Sequence, residues 1–299
     1  MSADRIILKL SGSLPRIGLS TLMVCLFSGI VLSFYYRPAG DVFRNVEEIT
    51  THVPFGWFFR QLHYAAGQLF VILMLLHTLD HFLKRRYAAY PLRVWIHLIL
   101  AVLLSLFTLF TGFILKGDKE ALFAGRIFTH ILQAVPMVGD PLSRIFITSG
   151  QDFFFLPYLY HCFFLPLLII YLIRNHIREW IPDKGFMMAG VVGLFLYAFL
   201  VKPSPAVPPG AMMETVKGPW FFLGIQALLK FVPPLLGAIV LPGLFVACVL
   251  ILPLSKRKNT EASFSGRIFR TKGDWLRYGV IFLFVIYVGL TVKAWLWGV

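Results

Sequence analysis

Long apolar segments alternate with short polar connections along the whole chain. Seven of them can each hold a span of roughly 20 apolar residues, about the length with which an α-helix crosses the hydrocarbon core of a bilayer. These segments cover residues 17–36, 57–82, 94–115, 154–178, 186–201, 219–253, which includes a lead-in before the span, and 275–297. The pattern predicts an all-α, polytopic membrane protein with seven transmembrane helices.

Two of the connections are longer than a link between helices requires. They cover residues 116–153 and 202–234, and the first contains the amphipathic sequence AGRIFTHILQAVPMVGDPLSRIF. Long connections in compact proteins usually carry a function. We therefore expect both to contribute to a site.

The composition excludes a water-soluble fold. Hydrophobic residues make up 58% of the 299 residues, charged residues only 14%, and the mean hydropathy is +0.78. The net charge of +14 does not indicate a nucleic-acid partner, because the lysines and arginines stand in short clusters between the apolar segments. Membrane lipid is the expected surrounding.

These basic clusters predict an orientation in the membrane. They occur in the N-terminal segment and around residues 84–93, 178–184 and 256–277, whereas the connections between them are less basic for their length. Cytoplasmic connections are enriched in Lys and Arg, so these segments and the N-terminus are predicted to be cytoplasmic. The first apolar segment lacks a small-residue cleavage site, so we expect it to be a membrane helix rather than a signal peptide.

Four histidines inside two of the predicted spans carry the candidate chemistry. His63 and His77 are fourteen residues apart, which places them within about 40° of the same helix face. His161 and His176 are fifteen residues apart, which leaves them about 60° from exact register. Each predicted helix can therefore turn two imidazoles toward the other.

Two stacked pairs of imidazoles suit two haem irons. A single histidine in a membrane span is more often a satisfied core residue or a pore-lining group, but four at these spacings supply one pair near each leaflet, as two bis-histidine haems need. Zinc is not indicated, because each level lacks a thiolate or carboxylate. The cysteines, which show no paired or metal-type spacing, are Cys25, Cys162 and Cys248. A proton-coupled transporter with a histidine relay is an alternative.

Two further side chains lie close in sequence to these histidines. His81 is a rival ligand, but its position beside the basic sequence at 84–86 predicts that it lies at the membrane surface. Arg60, one turn before His63, would approach the propionates of an outer haem through a charge-assisted hydrogen bond. The alternative for Arg60 is that it snorkels to the interface.

Several motifs resemble the cytochrome b family of respiratory and photosynthetic cytochrome bc complexes. They are GWFFRQLH, TGFILKGD, LQAVPMVGDPL and LYHCFFLPLLI. After residue 202, the sequence VKGPWFFLGIQALLKFVPPLLGAIVLPGLFVACVLILPL resembles the small second subunit of the photosynthetic branch, here fused to the first. The resemblance implies a di-haem four-helix bundle over residues 1–185 and a three-helix region over residues 186–299.

The resemblance also implies which residues bind the two b-type haems. The outer, low-potential haem would be held by His63 and His161, and the inner, high-potential haem by His77 and His176. Around the outer haem, Arg60 would form a salt bridge, and Gly29 and Gly112 would let the porphyrin lie close to the backbone. In the same family, the positions that match an outer quinol pocket are Pro136, Gly139, Trp220 and Phe221.

One family motif is changed in this chain. The family usually has Pro-Glu-Trp-Tyr, whose glutamate accepts a proton from quinol, whereas this sequence reads Gly218-Pro219-Trp220-Phe221. Quinol oxidation needs a base within hydrogen-bond reach, and Glu214 is the nearest candidate. Glu214 can equally be an ordinary loop glutamate.

Taken with the resemblance, these features predict a di-haem cytochrome b subunit of a membrane quinol/quinone oxidoreductase complex in the cytoplasmic membrane of a prokaryote. The expected partners are the quinone pool and either a Rieske iron–sulfur protein or a multihaem cytochrome c or iron–sulfur subunit, in a multi-subunit complex that can be dimeric. The alternative is a cytochrome b membrane anchor that passes electrons from a dehydrogenase or hydrogenase to quinone.

Overall fold

A computed structural model of the chain describes residues 3–181, 184–201, 206–212, 216–255 and 275–298. The α-helices of these residues are α1 (Ala3–Ser33), α2 (Val42–Thr51), α3 (Gly56–Leu83), α4 (Leu92–Ile114), α5 (Lys119–Gln133), α6 (Gly139–Phe146), α7 (Phe155–Leu159), α8 (Leu165–Trp180), α9 (Lys184–Leu200), α10 (Leu223–Leu228), α11 (Leu241–Ile251) and α12 (Trp275–Trp297). The predicted all-α, polytopic membrane fold is confirmed.

Among the described residues, six helical stretches are long and apolar enough to cross a membrane. They are Gly12–Ser33, Gly56–Leu83, Leu92–Ile114, Gly150–Ile177, Leu235–Leu254 and Trp275–Trp297. The predicted span at 186–201 corresponds to α9, whose apolar part, Met187–Leu200, is shorter than these six.

The predicted span at 219–253 is interrupted. Its first part forms a 3₁₀ turn, Trp220–Phe222, followed by the short helix α10, and the membrane-length helical stretch begins only at Leu235. Pro233 and Pro234 stand at the break, because proline lacks the backbone N–H that a continuous helix needs. The lead-in and the membrane helix are therefore separate elements.

The chain forms two compact units, which we describe separately. The first contains residues 1–81 and 100–216, and the second contains residues 82–99 and 217–299. The division of the sequence into regions at residue 185 stays a prediction.

The first unit has two apolar clusters around α1 and α3. One adds residues of α4 and α8, and its buried members are Leu19, Leu22, Phe70, Val71, Met74, Ala101, Ile169, Leu172 and Ile173. The other adds α9 and contains Val24, Phe58, Leu62, Ala66, Leu194 and Ala198. Fully buried alanines in the second cluster allow close helix approach, as is common between membrane helices. Helix α9 therefore packs against membrane-spanning helices.

In the second unit, α10 packs against α12. Leu223, Ala227 and Ala294 form its buried cluster. A Cβ atom on Gly224 would lie 2.6 Å from Tyr287 Cε2, so no side chain fits there. The Tyr287 hydroxyl donates to the Phe221 carbonyl, which fixes the segment before α10 to α12.

Aspartate side chains cap the first turns of α2 and α5. Asp118 is buried, accepts from the Ala121 N–H at 2.9 Å as the N-cap of α5, and pairs with Lys116 Nζ at 2.8 Å. Asp41 caps α2 in the same way through the Arg44 N–H. A side-chain oxygen at the N-cap accepts a hydrogen bond from a backbone N–H that has no partner within the first turn. Each helix therefore begins directly after its capping aspartate.

Two wide π turns interrupt the helices. In Tyr160–Phe164, which joins α7 to α8, the Leu165 N–H donates to the Tyr160 carbonyl. In Leu235–Val240, which precedes α11, the Leu241 N–H donates to the Leu236 carbonyl. Both bonds reach back five residues instead of four, so each turn holds one residue more than an α-turn.

Candidate functional site

His63 on α3 and His161 in the first π turn face each other. Their Nε2 atoms are 3.5 Å apart, and their ring centroids are 5.8 Å apart at an interplanar angle of 80°. This is the outer pair expected from the sequence. The structure therefore brings together two imidazoles that are 98 residues apart in the chain.

Each imidazole of this pair is oriented by a backbone carbonyl of a neighbouring helix. His63 Nδ1 lies 2.9 Å from the Cys25 carbonyl on α1, and His161 Nδ1 lies 2.9 Å from the Thr108 carbonyl on α4. A carbonyl can only accept, so in neutral histidine Nδ1 carries the proton and Nε2 keeps a lone pair. Two electron-rich nitrogens then point at each other, an arrangement suited to a metal ion between them.

Helices α1 and α4 repeat the same local arrangement around these rings. Three residues after each carbonyl comes a hydroxyl, and the hydroxyl oxygens of Ser28 and Thr111 each lie 3.4 Å from the neighbouring Nδ1. Next follow Gly29, where a Cβ would lie 2.9 Å from His63 Cε1, and Gly112, where it would lie 2.5 Å from His161 Cε1. Neither position accepts a side chain without moving a histidine.

Gly29 and Gly112 are expected from the sequence, whereas the carbonyls of Cys25 and Thr108 and the hydroxyls beside them are not. The available signal was the shared spacing of Cys25, Ser28 and Gly29 with Thr108, Thr111 and Gly112. It is visible only once both helices are known to contact the histidines, because backbone carbonyls have no sequence signature.

His63 and His161 could hold one metal ion between their Nε2 atoms. Two imidazole nitrogens that each bond the same ion at about 2.0 Å lie at most about 4 Å apart, and the 3.5 Å found is within that limit. Among the described residues there is no group of three or more His, Cys, Asp and Glu that could hold a metal ion. If haem is bound, its porphyrin would supply the remaining ligands of the iron.

The inner pair lies farther along the same helices. The Nδ1 atoms of His77 on α3 and His176 on α8 are both buried. The ring of His81 packs against His77 with 4.3 Å between centroids, and its Nδ1 lies 3.2 Å from the His77 carbonyl. His81 is only 8% exposed, so its side chain packs inside the protein; the expectation that it lies at the depth of the membrane surface stays a prediction. Its position one turn after His77 buries it on the same face of α3.

Arg60 lies three residues before His63 on α3. Its Nη1 donates to Thr50 Oγ1 on α2 at 2.8 Å, and the side chain is half-buried. This bond joins the start of α3 to α2. The predicted contact of Arg60 with a haem propionate stays a prediction.

The residues expected at the outer quinol pocket fall in both units. In the first unit, Pro136 lies in the turn between α5 and α6, and Gly139 is the first residue of α6. A Cβ on Gly139 would be 2.5 Å from the Gln133 carbonyl oxygen. In the second, Trp220 and Phe221 form the 3₁₀ turn before α10, and the preceding Gly218 N–H donates to Gln226 Oε1 at 2.8 Å. Glu214 lies outside the described residues.

The family model for cytochrome b/b6/petB matches residues 9–179, more than half of the chain. The chain belongs to the cytochrome b family. Cytochrome b proteins are haem-binding membrane proteins of electron transport, so the chain is a multi-pass subunit of an oxidoreductase system of the respiratory-chain type.

A solved structure titled "Hyperthermophilic respiratory Complex III" is similar in fold. The comparison has a TM-score of 0.68 and 18% sequence identity, and it covers 95% of this chain and 91% of that one. The fold similarity therefore extends beyond residue 179 into the region that the family model does not match.

Proposed function

We propose that this cytochrome b is the di-haem subunit of a membrane quinol/quinone oxidoreductase complex, in which His63 and His161 hold an outer b-type haem and His77 and His176 hold an inner one. Electrons would cross the bilayer between quinone sites and a partner redox subunit. When bound, haem supplies reversible one-electron transfer.

The facing Nε2 atoms of His63 and His161 carry this proposal. Carbonyls on both sides set each ring in the tautomer that a metal ligand needs, and the adjacent glycines leave no side chain between the ring and the helix backbone. Orienting groups of this kind fix a ligand ring and raise its basicity. The same two helices carry the inner histidines about 21 Å farther along, at 1.5 Å per residue.

The outer pocket would be the place where quinol loses electrons and protons. By the family resemblance, the proposed pocket residues are Pro136, Gly139, Trp220 and Phe221. We propose Glu214 as the base that accepts a proton, in place of the family's usual glutamate. Unchanged quinol turnover in Glu214→Gln would remove it from the mechanism.

The partner that exchanges electrons with this subunit would be a Rieske iron–sulfur protein or a multihaem cytochrome c or iron–sulfur subunit. A multi-subunit complex in the cytoplasmic membrane of a prokaryote, with the N-terminus in the cytoplasm, is the proposed setting.

Haem content of the purified protein tests the proposal. We expect two b-type haems per chain in the unmodified protein. The variants His63→Ala and His77→Ala should each retain one haem, and each should lose a different redox potential. His130→Ala is the matched control, because His130 lies on α5 outside both pairs and should leave two haems. Protein that contains no b-type haem would contradict the proposal.

A further inference from the structure

The spacing between the two paired histidines differs by one residue between α3 and the helix that carries His161 and His176. His77 follows His63 after fourteen residues and His176 follows His161 after fifteen. In regular α-helices the second histidine would be rotated by about −40° from the first in α3 and by about +60° in the other helix, a mismatch of about 100°. Opposed pairs at both levels require this mismatch to be removed.

The first π turn lies where it can remove the mismatch. It covers Tyr160–Phe164, with His161 as its second residue, and the Leu165 N–H reaches back five residues to the Tyr160 carbonyl. A π turn takes up one residue more than an α-turn. Fifteen residues that include this turn therefore rotate as fourteen residues of regular helix do, and the offset in this helix becomes about −40°, as in α3.

Pro166 marks the position of this turn. Proline has no N–H to donate, and its ring excludes the carbonyl four residues earlier, here that of Cys162. The second π turn, Leu235–Val240, is likewise followed by a proline at the second residue, Pro242. The same combination thus occurs in two helices of this chain with different surroundings.

Packing on both sides of the turn prevents the extra residue from being absorbed elsewhere. At its start, His161 is held by the Thr108 carbonyl and by the close approach of Gly112. After it, Ile169, Leu172 and Ile173 are buried in the core of the first unit. Within the turn, by contrast, Phe163 and Phe164 are 50% and 58% exposed, so the added length projects outward.

We propose that the π turn Tyr160–Phe164, kept in place by Pro166, is a positioning device that brings His176 into register with His161 so that both histidine pairs can hold haem. This inference rests on the proposed function, since it concerns the alignment of the proposed ligands. Pro166 acts only through the helix and is a positioning residue.

Two single-residue deletions test the proposal with matched variants. Deleting Phe163 or Phe164 gives the same protein, as does deleting Leu167 or Leu168, and both deletions shorten the His161–His176 spacing to fourteen. The phenylalanine deletion removes the extra residue from the π turn, so we expect two haems per chain. The leucine deletion leaves the π turn and rotates His176 by about 100°, so we expect loss of the inner haem alone.

The readouts are haem per chain and the number of midpoint potentials in a redox titration of the full-length protein in detergent. Retention of the outer haem reports that the leucine-deletion variant has folded. Equal haem content in the two deletion variants would overturn the proposal, whereas an unmodified protein without two haems would overturn the proposed function instead.

A third variant tests the register argument without altering the π turn. One alanine inserted between Leu69 and Phe70 gives α3 the fifteen-residue spacing with no π turn to compensate. We expect this protein to keep the outer haem and lose the inner one. Two haems with unshifted potentials would show that register does not decide binding, which contradicts the proposal even if the phenylalanine deletion fails to accumulate.

Discussion

Because Cys25 and Thr108 offer backbone carbonyls to His63 and His161, each imidazole holds its proton on Nδ1 and turns a bare Nε2 toward the other. Carbonyl oxygens are present at every helix residue, so this control requires close approach rather than a special side chain. Gly29 and Gly112 supply the approach. At this scale, the absence of a side chain beside each ring matters as much as the histidine itself.

Substituting these glycines should therefore displace the rings. A Cβ at residue 112 would lie 2.5 Å from His161 Cε1 and one at residue 29 would lie 2.9 Å from His63 Cε1, so we expect Gly112→Ala to reduce outer-haem content more than Gly29→Ala. Overpacking of this kind costs about 1–3 kcal/mol. Haem per chain and the outer midpoint potential are the measurements.

Gly193→Ala on α9 is the matched control for the glycine variants. No heavy atom lies within 4 Å of a Cβ built there, so haem content should match that of the unmodified protein. Full outer-haem content in Gly112→Ala would mean that the helix backbone does not restrict the His161 ring.

Among the elements, the contact between α10 and α12 is set by one small residue. Gly224 faces Tyr287 and Thr291, and a Cβ there would lie 2.6 Å from the Tyr287 ring and 2.7 Å from Thr291 Oγ1. Both partners belong to a helix packed against α10, so they cannot both move aside. We expect Gly224→Ala to destabilise the second unit by about 1–3 kcal/mol.

Thermal unfolding of the purified protein in detergent measures this effect. Gly289→Ala lies on α12 with open space around its Cβ and should leave the midpoint unchanged or slightly raised, since alanine favours the helix. Equal midpoints for Gly224→Ala and the unmodified protein would contradict close packing of α10 on α12.

Sequence patterns predicted most elements because apolar length and histidine spacing are local properties. The helices that carry His63, His77, His161 and His176 follow directly from these patterns. The π turn before α8 does not, since it depends on which carbonyl the Leu165 N–H selects, although Pro166 and the fifteen-residue spacing are hints. The close packing of His81 against His77 also does not follow from these patterns, because it depends on the ring orientations within one helix face.

In the whole molecule, the side of the membrane on which Val299 lies depends on whether α9 crosses the bilayer. Its 17 residues span about 26 Å at 1.5 Å per residue, slightly less than the roughly 30 Å hydrocarbon core. Local thinning of the bilayer accommodates such a mismatch at modest cost. Leu194 and Ala198 of α9 are buried against α1 and α3, as expected of a helix that crosses beside them.

The distribution of charge argues for the same crossing. With an N-terminus in the cytoplasm, seven crossings leave the basic sequences at 84–93, 178–184 and 256–272 all on the cytoplasmic side, as the positive-inside rule favours. Six crossings, with α9 on one side only, would move residues 256–272 and their six Lys and Arg residues to the outer side. We therefore predict that the two termini lie on opposite sides of the membrane.

Reporter fusions in a bacterial host measure this prediction. Alkaline phosphatase fused after Val299 should be active and green fluorescent protein fused there dark, because the first folds only outside the cytoplasm and the second only within it. The matched control places the same reporters after residue 258, where the pattern should reverse. Fluorescence from the fusion at Val299 would mean that α9 does not cross, and that its contacts with α1 and α3 form at one side of the bilayer.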